Sequence, residues 1–154
     1  MQKINKIVIH HSASEFGNAA LITKWHLDRG FFTIGYHFVI LNGQISHSLF
    51  NSDFDGHIET GRPLDFDEFM TSVEVGAHAI GVNHTSIGIC LIGNTDFSTR
   101  QMHSLVNLLE RILRSITSVK SIIGHRDLPG VSKNCPGFDV AKFLESYQIR
   151  LPKY

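Results

Sequence analysis

Disulfides, a charge imbalance and a membrane-length apolar run are all missing from this sequence. Cysteine occurs only twice in 154 residues, too few for the disulfide framework of a stapled secreted domain. Acidic and basic side chains cancel at 14 each, so no global field draws the chain toward nucleic acid or an anionic membrane. No stretch approaches the ~20 apolar residues of a membrane span, and membrane insertion is not expected. The N-terminus, MQKINKIVIHHSAS, has only a three-residue apolar run before its histidines and no h-region of a secretory signal. Synthesis in the cytoplasm is therefore expected, with any export by another route. HExxH and CxxC motifs are absent too, so a scan for the commonest metal signatures returns nothing.

What remains is an ordinary globular composition with one excess. Apolar residues make up 42% and charged residues 18%, which suits a soluble globular chain. A length of 154 residues fits one core, so residues 1–154 are read as a single domain able to bury roughly 70% of its unfolded surface. Histidine, the commonest metal ligand, occurs ten times.

The pattern alternates strands and helices. KIVIHH (6–11) is a β-branched run and a first buried strand. In 18–30, Leu21, Ile22, Trp25 and Leu27 trace a helical stripe, with Asn18 as cap and Gly30 as stop. YHFVIL (36–41) is a second strand, and Asn42-Gly43 predicts a hairpin leading into QISHS. Residues 48–75 lack a clean period and read as a long, partly ordered excursion with a strand at HIETG. SIGICLIG (86–93) is again a buried strand. Ser98 and Gln101 form a capping box ahead of the stripe Met102, Leu105, Leu108, Leu109, Ile112 and Leu113. A short strand in 118–125 ends at His125, and 138–147 is a closing helix. The fold class is therefore α/β, a central mixed β-sheet flanked by helices.

His10 and His125 both stand at carboxyl ends of strands, where sites gather in α/β sheets. With Cys135 they make three donors, the number that leaves a catalytic zinc with one open position. Two imidazoles and a thiolate leave the centre a net charge of +1, which drives the pKa of coordinated water toward neutrality. The spacing alone is weak, and a lone histidine is more often structural.

An ordered set of motifs carries more. His10-His11-Ser12-Ala13, Gly35-Tyr36-His37-Phe38, Gly76-Ala77-His78-Ala79 with Asn83, Ser86-Ile87-Gly88-Ile89, Gly124-His125-Arg126-Asp127, and Lys133-Asn134-Cys135-Pro136-Gly137-Phe138 follow one another along nearly the whole chain. This set resembles the type 2 N-acetylmuramoyl-L-alanine amidases, which include phage endolysins and peptidoglycan recognition proteins. The resemblance implies Zn2+ on His10, His125 and Cys135, with Tyr36 and Lys133 as catalytic residues that polarise the substrate and stabilise the oxyanion. His11 would not be a ligand. His78 and Asn83 match positions that hold substrate, and Arg62 is assigned to reach the glycan or peptide. Compared with the family, residues 42–75 look expanded, which loosens the match at Arg62. His26, His47, His57, His84 and His103 are left as surface or helix-face residues. Hydrolysis of the muramoyl–alanine amide of peptidoglycan by a monomer is expected, with holin-type or other non-classical release. The alternative is a recognition module that binds wall fragments without cutting them, and the complete ligand set argues for the enzyme.

Overall fold

Period-two alternation in the first long strand decides which side of the sheet carries the chemistry. In the computed structural model, which describes residues 1–153, β1 (Gln2–Lys3) precedes β2 (Lys6–His11). Ile7 and Ile9 of β2 enter one core cluster, so His10, one residue on, points to the opposite face. β2 is central, paired in parallel with β6 (Ser86–Leu91) on one side and β7 (Ser121–Gly124) on the other. Burial on both faces explains its unbroken apolar run.

β3 (Phe38–Gln44) pairs in parallel with β6, and β4 (Phe50–Thr60) pairs antiparallel with β3. The sheet order is β4-β3-β6-β2-β7, a mixed sheet as expected. A separate two-stranded ribbon joins β1 to β5 (Phe69–Met70). On one face, α2 (Thr99–Ser115) buries Leu105, Leu108, Leu109, Ile112 and Leu113, and α3 (Val140–Ser146) adds Val140 and Phe143. The capping box at Ser98 and Gln101 is present. Gln101 is itself wholly buried, and its amide donates to the carbonyls of Ile40 in β3 and Ile92 just past β6, fastening the helix start to the sheet. On the other face, α1 (Ala19–Asp28) packs Ile22 with Ile34, Val39, Leu41, Cys90 and Ile92.

Three expectations need correction. The chain does not turn at Asn42-Gly43, because β3 runs through both and the turn closes where the Ile45 N–H donates to the Leu49 carbonyl. Asn42 instead sits at a register shift opposite Asp55. The strand expected only at HIETG spans eleven residues. β4 is an edge strand with most side chains in solvent, so nothing forces the apolar alternation that reveals a strand. Finally, Leu27 is 51% exposed, and His26, four residues after Ile22, is buried in its place.

His37, just ahead of β3, is a polar staple in the core. Its Nδ1 accepts from the Gly88 N–H, and its Nε2 donates to the Glu74 carbonyl. The Glu74 carboxylate in turn accepts from the Asp65 N–H and from the Thr71 N–H and hydroxyl, ordering the segment after β4. Burial holds the His37 imidazole down at about 4, against the ordinary value near 6.5 that it regains when unfolded. Between these values the unfolded chain binds the proton and the folded one does not, so stability is lost as pH falls through that window. We expect acidification from pH 7 to 4 to cost about 3 kcal/mol through His37 alone. Urea unfolding in a chelator should show the midpoint falling over this range, less steeply in His37→Gln. A midpoint independent of pH would contradict the assignment.

Candidate metal centre and cleft

Three separate elements deliver the candidate donors. His10 is the penultimate residue of β2. His125 follows directly on β7 and opens a 3-10 turn, held there by Asp127, whose carboxylate accepts from the Gly124 N–H. The loop beyond it returns so that the Arg126 N–H donates to the Cys135 carbonyl. Cys135 is then fixed from the other side by the His11 N–H, 3.3 Å from its Sγ. Gly137 lets the loop seat this closely: it has φ +87°, and a Cβ there would lie 2.2 Å from the Asn94 carbonyl oxygen.

The donor atoms of His10, His125 and Cys135 all lie within 4.8 Å of one another, and His10 Nδ1 is 3.8 Å from Cys135 Sγ. Zinc bonds of ~2.0–2.1 Å to nitrogen and ~2.3 Å to sulfur put tetrahedral donors roughly 3.3–3.6 Å apart. The cluster must contract by up to about 1.5 Å to hold such an ion. Among the described residues it is the one group of this kind, and it contains no carboxylate, a donor set that suits a borderline-soft metal over calcium or magnesium. Burial, with His78 and His125 nearby, holds His10 well below its usual range. Burial and then the Lys133 charge lower His125 as well. Both imidazoles are therefore neutral and able to donate a lone pair. Burial pushes the Cys135 thiol up to about 11, against the pull of the His11 N–H and Lys133. A cation entering the site must displace that proton.

The donors open into a cleft of ≈ 610 Å³. Tyr36 lies on one wall, its ring 5.0 Å from that of His10 and tilted by 53°. Burial, with Cys90 and Cys135 close by, pushes its phenol well above the usual range, so it remains a hydrogen-bond donor. Lys133 stands exposed on the facing loop and also lines the cleft. His78 lines it too, but its Nδ1 is 2.9 Å from His10 Nε2. Asn83 reaches the cleft, with Oδ1 accepting the backbone N–H groups of His78 and Ala79 at 2.9 Å each.

Arg62 is the one expected site residue not brought here. Its Nε donates to the Ile34 carbonyl and its Nη1 to that of Val75, so it braces two backbone segments and borders a different cavity beside Met1, Met70 and His84. His11 lines the rim with Nδ1 2.6 Å from the Asn94 carbonyl oxygen. His26, expected as a surface or helix-face residue, lies on the inward face of its helix. It is buried, lines the cleft, accepts the Gly35 N–H on Nδ1 and packs 5.4 Å from the Tyr36 ring. Its sequence signal was the four-residue step from Ile22. Apolar side chains that no motif marked, Phe31, Ile80 and Val131, complete the walls.

The family model for N-acetylmuramoyl-L-alanine amidase matches residues 1–138. The chain belongs to this amidase family. It is 32% identical to the endolysin of Escherichia phage T7, across 96% of this chain and 90% of the phage protein. Among solved structures, the amidase resembles LysC, an N-acetylmuramoyl-L-alanine amidase from Clostridium intestinale URNW. The TM-score is 0.74 at 27% identity, covering 96% of this chain and 87% of LysC. It also resembles the ectodomain complex of peptidoglycan recognition proteins LCa and LCx bound to tracheal cytotoxin, with a TM-score of 0.69 at 28% identity over 94% of this chain and 82% of that one. The fold is that of the amidase and recognition-protein group, and the chain is an enzyme of the amidase family.

The donor geometry makes a spectroscopic prediction that does not depend on turnover. Titrating the metal-free amidase with Co2+ should give one equivalent of a near-ultraviolet thiolate-to-cobalt absorption, abolished in Cys135→Ser and preserved in Cys90→Ser. Retention of the band in Cys135→Ser would remove the sulfur from the site.

Proposed function

We propose that this amidase cleaves the amide between the lactyl group of N-acetylmuramic acid and L-alanine, using Zn2+ held by His10, His125 and Cys135. The observation that carries this reading is the meeting of two neutral imidazoles and a thiol at the floor of a cleft that also contains Tyr36 and Lys133. Zinc in such a site supplies a Lewis acid able to activate water at neutral pH and polarise a carbonyl.

The protein's own groups do the rest. Attack on an amide carbonyl places negative charge on its oxygen, and fixed donors aimed at that oxygen lower the barrier. Tyr36, whose ring lies 5.0 Å from that of His10, offers a neutral O–H, and Lys133 offers a full positive charge from the loop two residues before Cys135. Lys133 has no hydrogen bond or ion pair with the other described side chains, so no internal partner must be broken to meet an oxyanion. Phe31, Ile80 and Val131 give the cleft apolar walls that strip water from a bound stem peptide and strengthen these charges. Similarity to phage endolysins supports a lytic role, with peptidoglycan or its muropeptides as substrate, and the recognition-protein complex similar to this chain holds tracheal cytotoxin.

Mass spectrometry of digested peptidoglycan tests the reaction. The expected products are intact glycan strands and stem peptides with free N-terminal alanine. We expect Cys135→Ala to abolish release, and Lys133→Ala and Tyr36→Phe each to lower kcat about 10²- to 10³-fold, the usual loss for one oxyanion donor. Cleaved glycosidic bonds would contradict the reaction, and native turnover in Cys135→Ala would contradict the metal site. A protein that binds muropeptides and leaves them whole would favour the recognition module.

A further inference from the structure

His78 matches a substrate-holding position by motif, but its hydrogen bonds point inward. It is only 9% exposed, and its ring meets that of His10 edge-on, with centroids 5.0 Å apart and planes at 87°. Its Nδ1 lies 2.9 Å from His10 Nε2. Its other nitrogen, Nε2, faces the Ser86 hydroxyl at 3.3 Å and the Ser86 carbonyl oxygen at 3.5 Å.

Protons can be assigned along this chain by elimination. The Ser86 hydroxyl donates to the Val82 carbonyl at 2.7 Å, so it turns lone pairs toward His78. A carbonyl oxygen can only accept. Both neighbours of His78 Nε2 are therefore acceptors, which puts the His78 proton on Nε2 and leaves Nδ1 bare. A bare Nδ1 at 2.9 Å requires the hydrogen of His10 to sit on Nε2. The Nδ1 of His10, 3.8 Å from Cys135 Sγ, then keeps its lone pair for a metal. The reverse arrangement would set a bare His78 nitrogen against two oxygen atoms and place a proton where the metal must bind.

The fold holds this pair rigidly. Gly88 of β6 lies beneath the His78 ring, and a Cβ there would come within 2.6 Å of it. Asn83 pins the backbone on either side of the ring. We propose that His78 is a positioning residue: the Ser86–His78–His10 chain fixes His10 in the Nε2–H tautomer and aims its Nδ1 into the metal site. This rests on the reading of His10 as a zinc ligand. Partners of this kind orient a ligand and raise its affinity for metal, and their loss weakens binding about 10- to 100-fold.

Two measurements test it together. Long-range proton–nitrogen NMR on the zinc-free protein should show His10 and His78 both protonated on Nε2. Competition with a chromophoric chelator should show His78→Leu losing zinc affinity about 10- to 100-fold, with His78→Asn, which keeps an oxygen acceptor where Nδ1 stood, within a few-fold of the parent. Nδ1–H on His10 in the parent protein overturns the proposal even if His78→Leu fails to fold. So does a folded His78→Leu with native zinc affinity and a raised KM, the behaviour of a substrate contact. Failure of the parent protein to bind zinc defeats the ligand reading instead, while the tautomers still decide the relay.

Discussion

The N–H of His11, donating to Cys135 Sγ at 3.3 Å, ties the end of the central strand to a loop 124 residues later in the chain. Every other part of the site is arranged around that tie. It places the sulfur beside His10, and the Arg126 N–H, donating to the Cys135 carbonyl, brings the same loop to His125. Lys133 is carried to the cleft by the same segment. The parallel centre of the mixed sheet supplies the rigidity: β2 runs in register with β6 to its last residue, His11, and with β7 as far as Ile9.

The electrostatic character of the site follows from what surrounds it. Four histidines, His10, His26, His37 and His78, are buried, and no carboxylate belongs to the donor cluster. Desolvation keeps His10 neutral, which is the form that binds metal, and it leaves positive charge to arrive with the ion and with Lys133 at the rim. A carboxylate among the donors would cancel part of the charge that makes a metal useful for amide hydrolysis. Burial also makes hydrogen-bond direction strict, since an imidazole nitrogen without water must match its neighbour.

Legibility in the sequence followed locality. The capping box and leucine stripe of α2 and the β-branched core of β2 depend on residues a few positions apart, and both are legible in the sequence. Most of β4 is hidden in the sequence because an edge strand in solvent need not alternate. The candidate donors are visible only through the ordered motifs, since His10, His125 and Cys135 come from three distant elements with no diagnostic spacing. The surroundings of His78, Arg62 and His26 depend on what each side chain meets in three dimensions. His78 meets a ligand candidate, Arg62 meets two backbone carbonyls, and His26 turns inward on a helix whose Leu27 turns out.

On the proposed reading, these three side chains hold one metal ion at the base of the cleft. Anomalous diffraction from crystals of the zinc-loaded protein, recorded on both sides of the zinc absorption edge, tests it most directly. A single strong peak is expected, bonded to His10 Nδ1, His125 and Cys135 Sγ and open on the side facing Tyr36 and Lys133. A peak elsewhere, or one bonded to His10 through Nε2, would contradict it.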